Sequence, residues 1–323
     1  MKKRIIWIVS SLCVLVFIVL IGAGSYFYDV AINRSDEDIK LHGGSDSETI
    51  VVSAMEQNLE QLKLEEVMEW TEQQTFETLE LESEDGLKLK AAFLKNEKPN
   101  GKAVILAHGY KGNKEQMPGI TKFYYEQGFD VLKPDARGHG ESEGDYIGYG
   151  WHERKDYQQW VQLLINDHNA DSIILHGFSM GAATVLMTSG EELPPEVKGI
   201  VADSGYTSVD EELTHQLKHM YHLPAFPLIE VTSVMTKIRA GYSFGEASAL
   251  EQVKSNKLPL FIIHGDQDDL VPTRMANVLY EAATSVKDLW IVPGAGHTDA
   301  FTIAEEEYKE RLLKFFEVAM VGE

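Results

Sequence analysis

The chain has 323 residues, with 29 Lys and Arg against 51 Asp and Glu, for a formal net charge of −22. That acid excess argues against nucleic-acid binding, since neutralising phosphates takes a basic face. A 44% hydrophobic fraction rules out a disordered chain, and the lone cysteine, Cys13, rules out an intramolecular disulfide and a Cys-based structural zinc site.

The first thirty residues differ from the rest. Lys2, Lys3 and Arg4 precede an uncharged stretch, Ile5 to Tyr28, that is apolar nearly throughout. About 20 helical residues span a bilayer core, more than the roughly 7–15 of a signal peptide's apolar region. Residues 1–28 are therefore expected to be a basic flank and a transmembrane anchor. The three basic residues place the N-terminus in the cytoplasm and everything after Tyr28 outside. Cleavage within Ile21-Gly22-Ala23-Gly24-Ser25, which would release a secreted form, is the alternative. Residues 29–74 read as a polar linker around Gly43–Ser47, then an amphipathic helix from about Thr49 to Trp70, with Val51, Met55, Leu59 and Leu62 at helical spacing.

From Thr75 onward, two runs around Glu84-Asp85-Gly86 suggest a hairpin. Short apolar runs follow at Ala103–Ala107, Phe129–Leu132, Ser172–Leu175, Gly199–Ala202, Leu260–Ile263 and Leu289–Val292. Helical stretches separate them at about 115–127, 151–168, 180–190, 273–284 and 301–319. Unbroken apolar strands alternating with helices imply a mostly parallel sheet covered on both faces, opened by an antiparallel hairpin. The interval from Ala202 to Leu260 is too long for a simple crossover, so about 206–250 should add helices over the sheet's rim, with Pro224 and Pro227 separating two of them.

Gly177-Phe178-Ser179-Met180-Gly181 lies between a strand and a helix, where a sharp turn exposes the serine hydroxyl beside free helix N–H groups. A serine nucleophile needs a base and a carboxylate to orient it. The loop His264–Pro272 offers Asp266, Asp268 and Asp269, and the next strand runs into His297. Serine, aspartate and histidine thus follow in that order, each at a strand's carboxyl end.

These residues resemble the α/β-hydrolase superfamily, in the branch of monoglyceride lipases, serine-aminopeptidase-like proteins and small bacterial esterases. The similarity runs from about Thr75 to Phe316, through His108-Gly109-Tyr110, Asp135–Ser142, the Ser179 elbow, the Gly265…Val271-Pro272 loop and Gly296-His297. It implies an α/β-hydrolase domain over residues 75–323 with a short lid insert. It also implies Ser179 as nucleophile, His297 as base, Asp268 as orienting acid, and the backbone N–H groups of Tyr110 and Met180 as the oxyanion hole. Asp266 would brace the loop and Asp269 face solvent.

Such a site needs no cofactor and no metal. His108, His139, His176 and His264 read as structural, and His215, His219 and His222 as one polar helix face rather than zinc ligands. The expected activity is hydrolysis of carboxylic esters, a lipid among the candidate substrates. One rival is a peptidase or amidase using Asp210, Glu211, Glu212 or Glu230 as a charge partner for a substrate amine. A second is a surface binding protein that keeps the fold without turnover.

Overall fold

The computed structural model describes residues 2–34 and 54–320. The Gly43–Ser47 linker, the expected helix start at Thr49 and Val51 lie outside the described residues, as do the side chains of Met55, Leu59 and Leu62. Helices α1 (Lys2–Ala31) and α2 (Ala54–Gln73) precede the hairpin β1 (Glu77–Glu82) and β2 (Lys88–Leu94). Then come β3 (Lys102–Ala107), α3 (Pro118–Glu126), β4 (Asp130–Pro134), α4 (Glu153–His168), β5 (Ser172–Phe178), α5 (Met180–Thr188) and β6 (Val197–Asp203). The rim insert contributes α6 (Val209–Tyr221), α7 (Leu228–Ala240) and α8 (Ala249–Val253). The chain ends with β7 (Leu260–Gly265), α9 (Arg274–Ala282), β8 (Lys287–Val292), α10 (Ala300–Ile303) and α11 (Glu305–Ala319).

The eight strands form one sheet in the order β1-β2-β4-β3-β5-β6-β7-β8. Pairing is antiparallel for β1 with β2 and β2 with β4, and parallel from β4 through β8. Central strands such as β5 are buried on both faces, which is why they read as unbroken apolar runs, whereas the edge strand β1 alternates. One face is covered by α4, α5 and α9 through Trp160, Leu186 and Leu279; α3 and α11 cover the other through Tyr124, Tyr308 and Phe316. This is the α/β-hydrolase architecture.

Two element boundaries differ from the sequence reading. The expected helix over 301–319 is broken at Ala304, whose φ of −133° and ψ of 45° separate α10 from α11. The apolar helix does not stop at Tyr28 but runs to Ala31, because its last turns pack into the globular part. Tyr28 is buried and Ile32, just beyond the helix, is completely so. Ile32 then accepts from Ile147 N–H at 2.7 Å, so the chain leaves α1 already tied to the domain. Further along, Trp70 of α2 packs edge-on against Tyr125 of α3.

Candidate active site

β5 delivers Ser179 to a turn with φ 54° and ψ −118°, a positive φ that a β-carbon disfavours. The bend holds because Ser179 N–H donates to the carbonyl of Asp203 on β6 at 2.9 Å and α5 starts at once. Both flanking glycines are required: a Cβ on Gly177 would collide with the Gly181 carbonyl, and one on Gly181 with the Ala107 carbonyl of β3. The serine hydroxyl is thereby left at the carboxyl edge of the sheet, 2.8 Å from His297 Nε2. On the other side of the ring, Nδ1 lies 2.8 Å from Asp268 Oδ2.

Of the three aspartates in the β7–α9 loop, Asp268 is the one that reaches His297. Its Oδ1 accepts from the N–H groups of Leu270 and Val271 at 3.0 and 2.8 Å, which aims Oδ2 at the histidine. Burial pushes its pKa up, but hydrogen bonds from His264 and His297 and the backbone outweigh that and hold it at about 2. The carboxylate is therefore ionised whenever His297 requires it. Asp266 braces the neighbouring turn by accepting from Gly294 N–H at 2.7 Å, and the carbonyl of Asp269 faces His215 Nε2 at 2.8 Å.

The His297 loop has a further brace that sequence reasoning missed. Tyr124 donates to His176 Nδ1, and His176 Nε2–H donates to Tyr308, both at 3.1 Å; Tyr308 in turn donates to Asp203 Oδ2 at 2.9 Å. On the other oxygen, Ser204 Oγ donates to Asp203 Oδ1 at 2.9 Å and accepts from Thr298 N–H at 3.1 Å. This chain fixes the residue next to His297 from inside the core. Burial holds His176 neutral, with its pKa lowered to about 3, and lifts Asp203 to about 6 against the pull of Tyr308 and Ser204. An acidic residue at the carboxyl end of a central strand was the one visible signal.

Met180 is the first residue of α5, where a helical N–H has no partner within its own helix, and it adjoins Ser179. Tyr110 follows Gly109, where a β-carbon would lie 3.4 Å from Ser179 Cβ, so the loop that carries Tyr110 runs past the nucleophile. The Tyr110 hydroxyl donates to the carbonyl of Ala31 at 3.0 Å. His108 accepts from Ala136 N–H through Nε2 at 3.0 Å and donates from Nδ1 to its neighbour's carbonyl, so its ring ties two loops together. Within the Asp135–Ser142 motif, Asp135 is buried and accepts from the N–H groups of Lys114 and Glu141. Arg137 makes a two-pronged contact with buried Asp156, at 2.7 and 2.6 Å.

A cavity of about 330 Å³ opens beside Ser179, walled by apolar and aromatic side chains from α6, α7 and the end of α1. Among the described residues one carboxyl lines it. Glu212 accepts from Gln216 through Oε1 at 2.8 Å while Oε2 is buried with no partner among the described residues. Burial raises its pKa to about 8, so at neutral pH the group is an uncharged acid. Of the rim histidines, His215 and His219 stack, and His222 caps α6 in a left-handed conformation. Among the described residues no group of three or more His, Cys, Asp or Glu side chains is arranged to hold a metal.

Comparison with known proteins agrees with this architecture. Residues 98–236 match the family model described as serine aminopeptidase, S33. The uncharacterized protein YqkD of Bacillus subtilis is 31% identical over 215 residues, covering 66% of this chain and 70% of its own. YfhR of Escherichia coli K12, also uncharacterized, is 26% identical over 248 residues, covering 74% and 80%. Among solved structures, the Pyrococcus furiosus esterase Pf2001 superposes with a TM-score of 0.64 at 26% identity, over 79% of this chain and 94% of that one.

Proposed function

The chain belongs to the α/β-hydrolase superfamily, and from that membership we propose a serine hydrolase that cleaves carboxylic esters outside the cytoplasm, held in the membrane by its N-terminal helix. The observation that carries this reading is the continuous line from Asp268 through His297 to Ser179, opening on an apolar cavity. Ser179 Oγ attacks the ester carbonyl carbon while its proton passes to His297 Nε2. Asp268 stabilises the imidazolium, and the N–H groups of Tyr110 and Met180 receive the oxyanion. The carbon–oxygen bond to the leaving alcohol then breaks, and the alcohol takes the proton from Nε2. Water repeats the sequence on the acyl-enzyme, giving the carboxylic acid and restoring Ser179.

An amide substrate is the competing reading, favoured by the serine aminopeptidase match. Glu212 is the acid placed to meet a substrate amine, whereas the other residues that line the cavity are apolar or carry neutral hydroxyl and amide groups, which favours esters. The test is fluorophosphonate labelling of the detergent-solubilised full chain, read by intact mass beside Ser179→Ala. One adduct on the parent and none on the variant is expected. An unlabelled, folded parent would refute the serine mechanism, and turnover of aminoacyl amides with no turnover of esters would refute the ester assignment.

A further inference from the structure

Sequence alone casts α1 as a tether, yet its last two turns are built into the site. Phe27, Val30 and Ala31 line the same cavity as Ser179 and Glu212. The carbonyl of Ala31, one of the orphaned acceptors at a helix C-terminus, receives the hydroxyls of both Tyr110 and Tyr149 at 3.0 Å. Tyr110 follows Gly109, which packs against Ser179, so the end of α1 holds the loop expected to supply an oxyanion donor.

The helix is locked against the rim insert over its whole lower end. A Cβ on Gly24 would collide with Val231 of α7, so glycine permits close approach there. Phe27 meets Tyr221 of α6 edge-on at 5.8 Å, and Arg239 at the far end of α7 bonds Ser25 and Asp29 and lies over the Tyr28 ring. These contacts make α1 and α7 run in the same direction. The start of α7 therefore sits beside the part of α1 that leaves the domain, where Ile5 through Ile21 expose an apolar surface. Phe226, two residues before α7, is 74% exposed, and Leu223, Val234 and Ile238 extend exposed apolar surface along α6–α7. An apolar rim beside an apolar helix sets the rim insert next to the surface that α1 would present to a bilayer.

We propose that the end of α1 is a wall of the acyl-binding site, and that the substrate is an ester with one long acyl chain drawn directly from the membrane that the helix crosses. This rests on the serine hydrolase reading and on the anchor. The cavity lies near the small end of the usual 300–1,000 Å³ range for ligand sites, which suits a single chain, and among the described residues no Lys or Arg lines it to hold an anionic head group inside. The acyl chain would run along Phe27 and Val30 with its ester carbonyl at Ser179, and the alcohol portion would stay near the surface.

The test uses the full chain reconstituted in phosphatidylcholine vesicles and compares labelling rates of Ser179 by dodecyl and ethyl fluorophosphonates. This reads the pocket whether the natural substrate is an ester or an amide. Val30→Trp, which fills the cavity, should lower the dodecyl-to-ethyl rate ratio by about tenfold or more. Phe27→Ala, which widens it, should raise the ratio for a hexadecyl probe over the dodecyl one. An unchanged ratio in both variants overturns the proposal while leaving the nucleophile intact, whereas no labelling of the parent refutes the serine hydrolase reading instead. Supply from the bilayer is read with dodecanoylglycerol, presented in the same vesicles or as dispersed monomer to the detergent-solubilised chain. Faster turnover of the vesicle-borne ester is expected, and turnover of the monomer alone would overturn access from the membrane.

Discussion

Replacing Asp268 by Asn tests the assignment of the acid, and the surrounding hydrogen bonds determine which way the new amide must face. Oδ1 of Asp268 accepts from two backbone N–H groups, and Oδ2 faces His297 Nδ1 and His264 Nε2. If the Asn oxygen keeps the two backbone bonds, its NH₂ points at His297. The reverse orientation sets the NH₂ against two N–H donors and forfeits both bonds, at about 1–3 kcal/mol each. Against this, the first orientation gives up the bond from His264 Nε2, so it wins by the worth of one such bond, about 1–3 kcal/mol. It donates to Nδ1, forces the proton onto Nε2, and leaves Ser179 facing a nitrogen with no lone pair to accept its proton. Holding a triad histidine in the wrong tautomer costs roughly 10⁴ in kcat, about 5 kcal/mol of barrier. The assay is kcat for p-nitrophenyl acetate on the detergent-solubilised full chain, with circular dichroism to verify folding. Asp269→Asn should stay near the parent, since its side chain is exposed and its contact with His215 runs through the backbone carbonyl. A loss of less than about tenfold for Asp268→Asn, or an equal loss for Asp269→Asn, would refute the assignment.

Glu212 gives a pH-dependent stability prediction. Its folded carboxyl keeps the proton to about pH 8, whereas the unfolded one loses it near 4.5, so the group costs stability progressively as pH rises between those values. Glu212→Gln should leave Tm nearly unchanged at about pH 4 and raise it at about pH 8, by up to roughly 3 kcal/mol in unfolding free energy at neutral pH; equal effects at both pH values would contradict the burial argument. Arg137→Met should cost about 3 kcal/mol or more, because Asp156 is left buried beside Glu153 without its cation, and a denaturant midpoint close to the parent's would show that the pair is dispensable.

Much of the fold was legible because its signals are local. Unbroken apolar runs reveal strands buried on both faces, and alternation reveals edge strands. A serine between glycines at a strand-to-helix junction needs only backbone sterics to be recognised: the collisions a Cβ would meet at Gly177 and Gly181 are the reason the pattern exists. The order of serine, aspartate and histidine at successive strand ends follows from a parallel sheet, whose carboxyl ends share one edge.

Other features depend on contacts between residues far apart in the chain. Asp266, Asp268 and Asp269 are chemically alike in a sequence, and resemblance to relatives was needed to favour one. In the structure, the N–H groups of Leu270 and Val271 decide which carboxylate faces His297. The brace from Tyr124 to Thr298 joins elements that span most of the domain, and no periodicity marks it. In the sequence Glu212 stood level with Asp210, Glu211 and Glu230 as a charge partner for a substrate amine, and only folding turned it into the cavity. Hydropathy determines that residues 5–28 suit a bilayer, because transfer from water is a property of the segment itself. That the same helix continues to Ala31, meets Tyr110 and walls the site beside Ser179 was decided only by tertiary packing, since a helix end is defined by the groups that satisfy its last carbonyls.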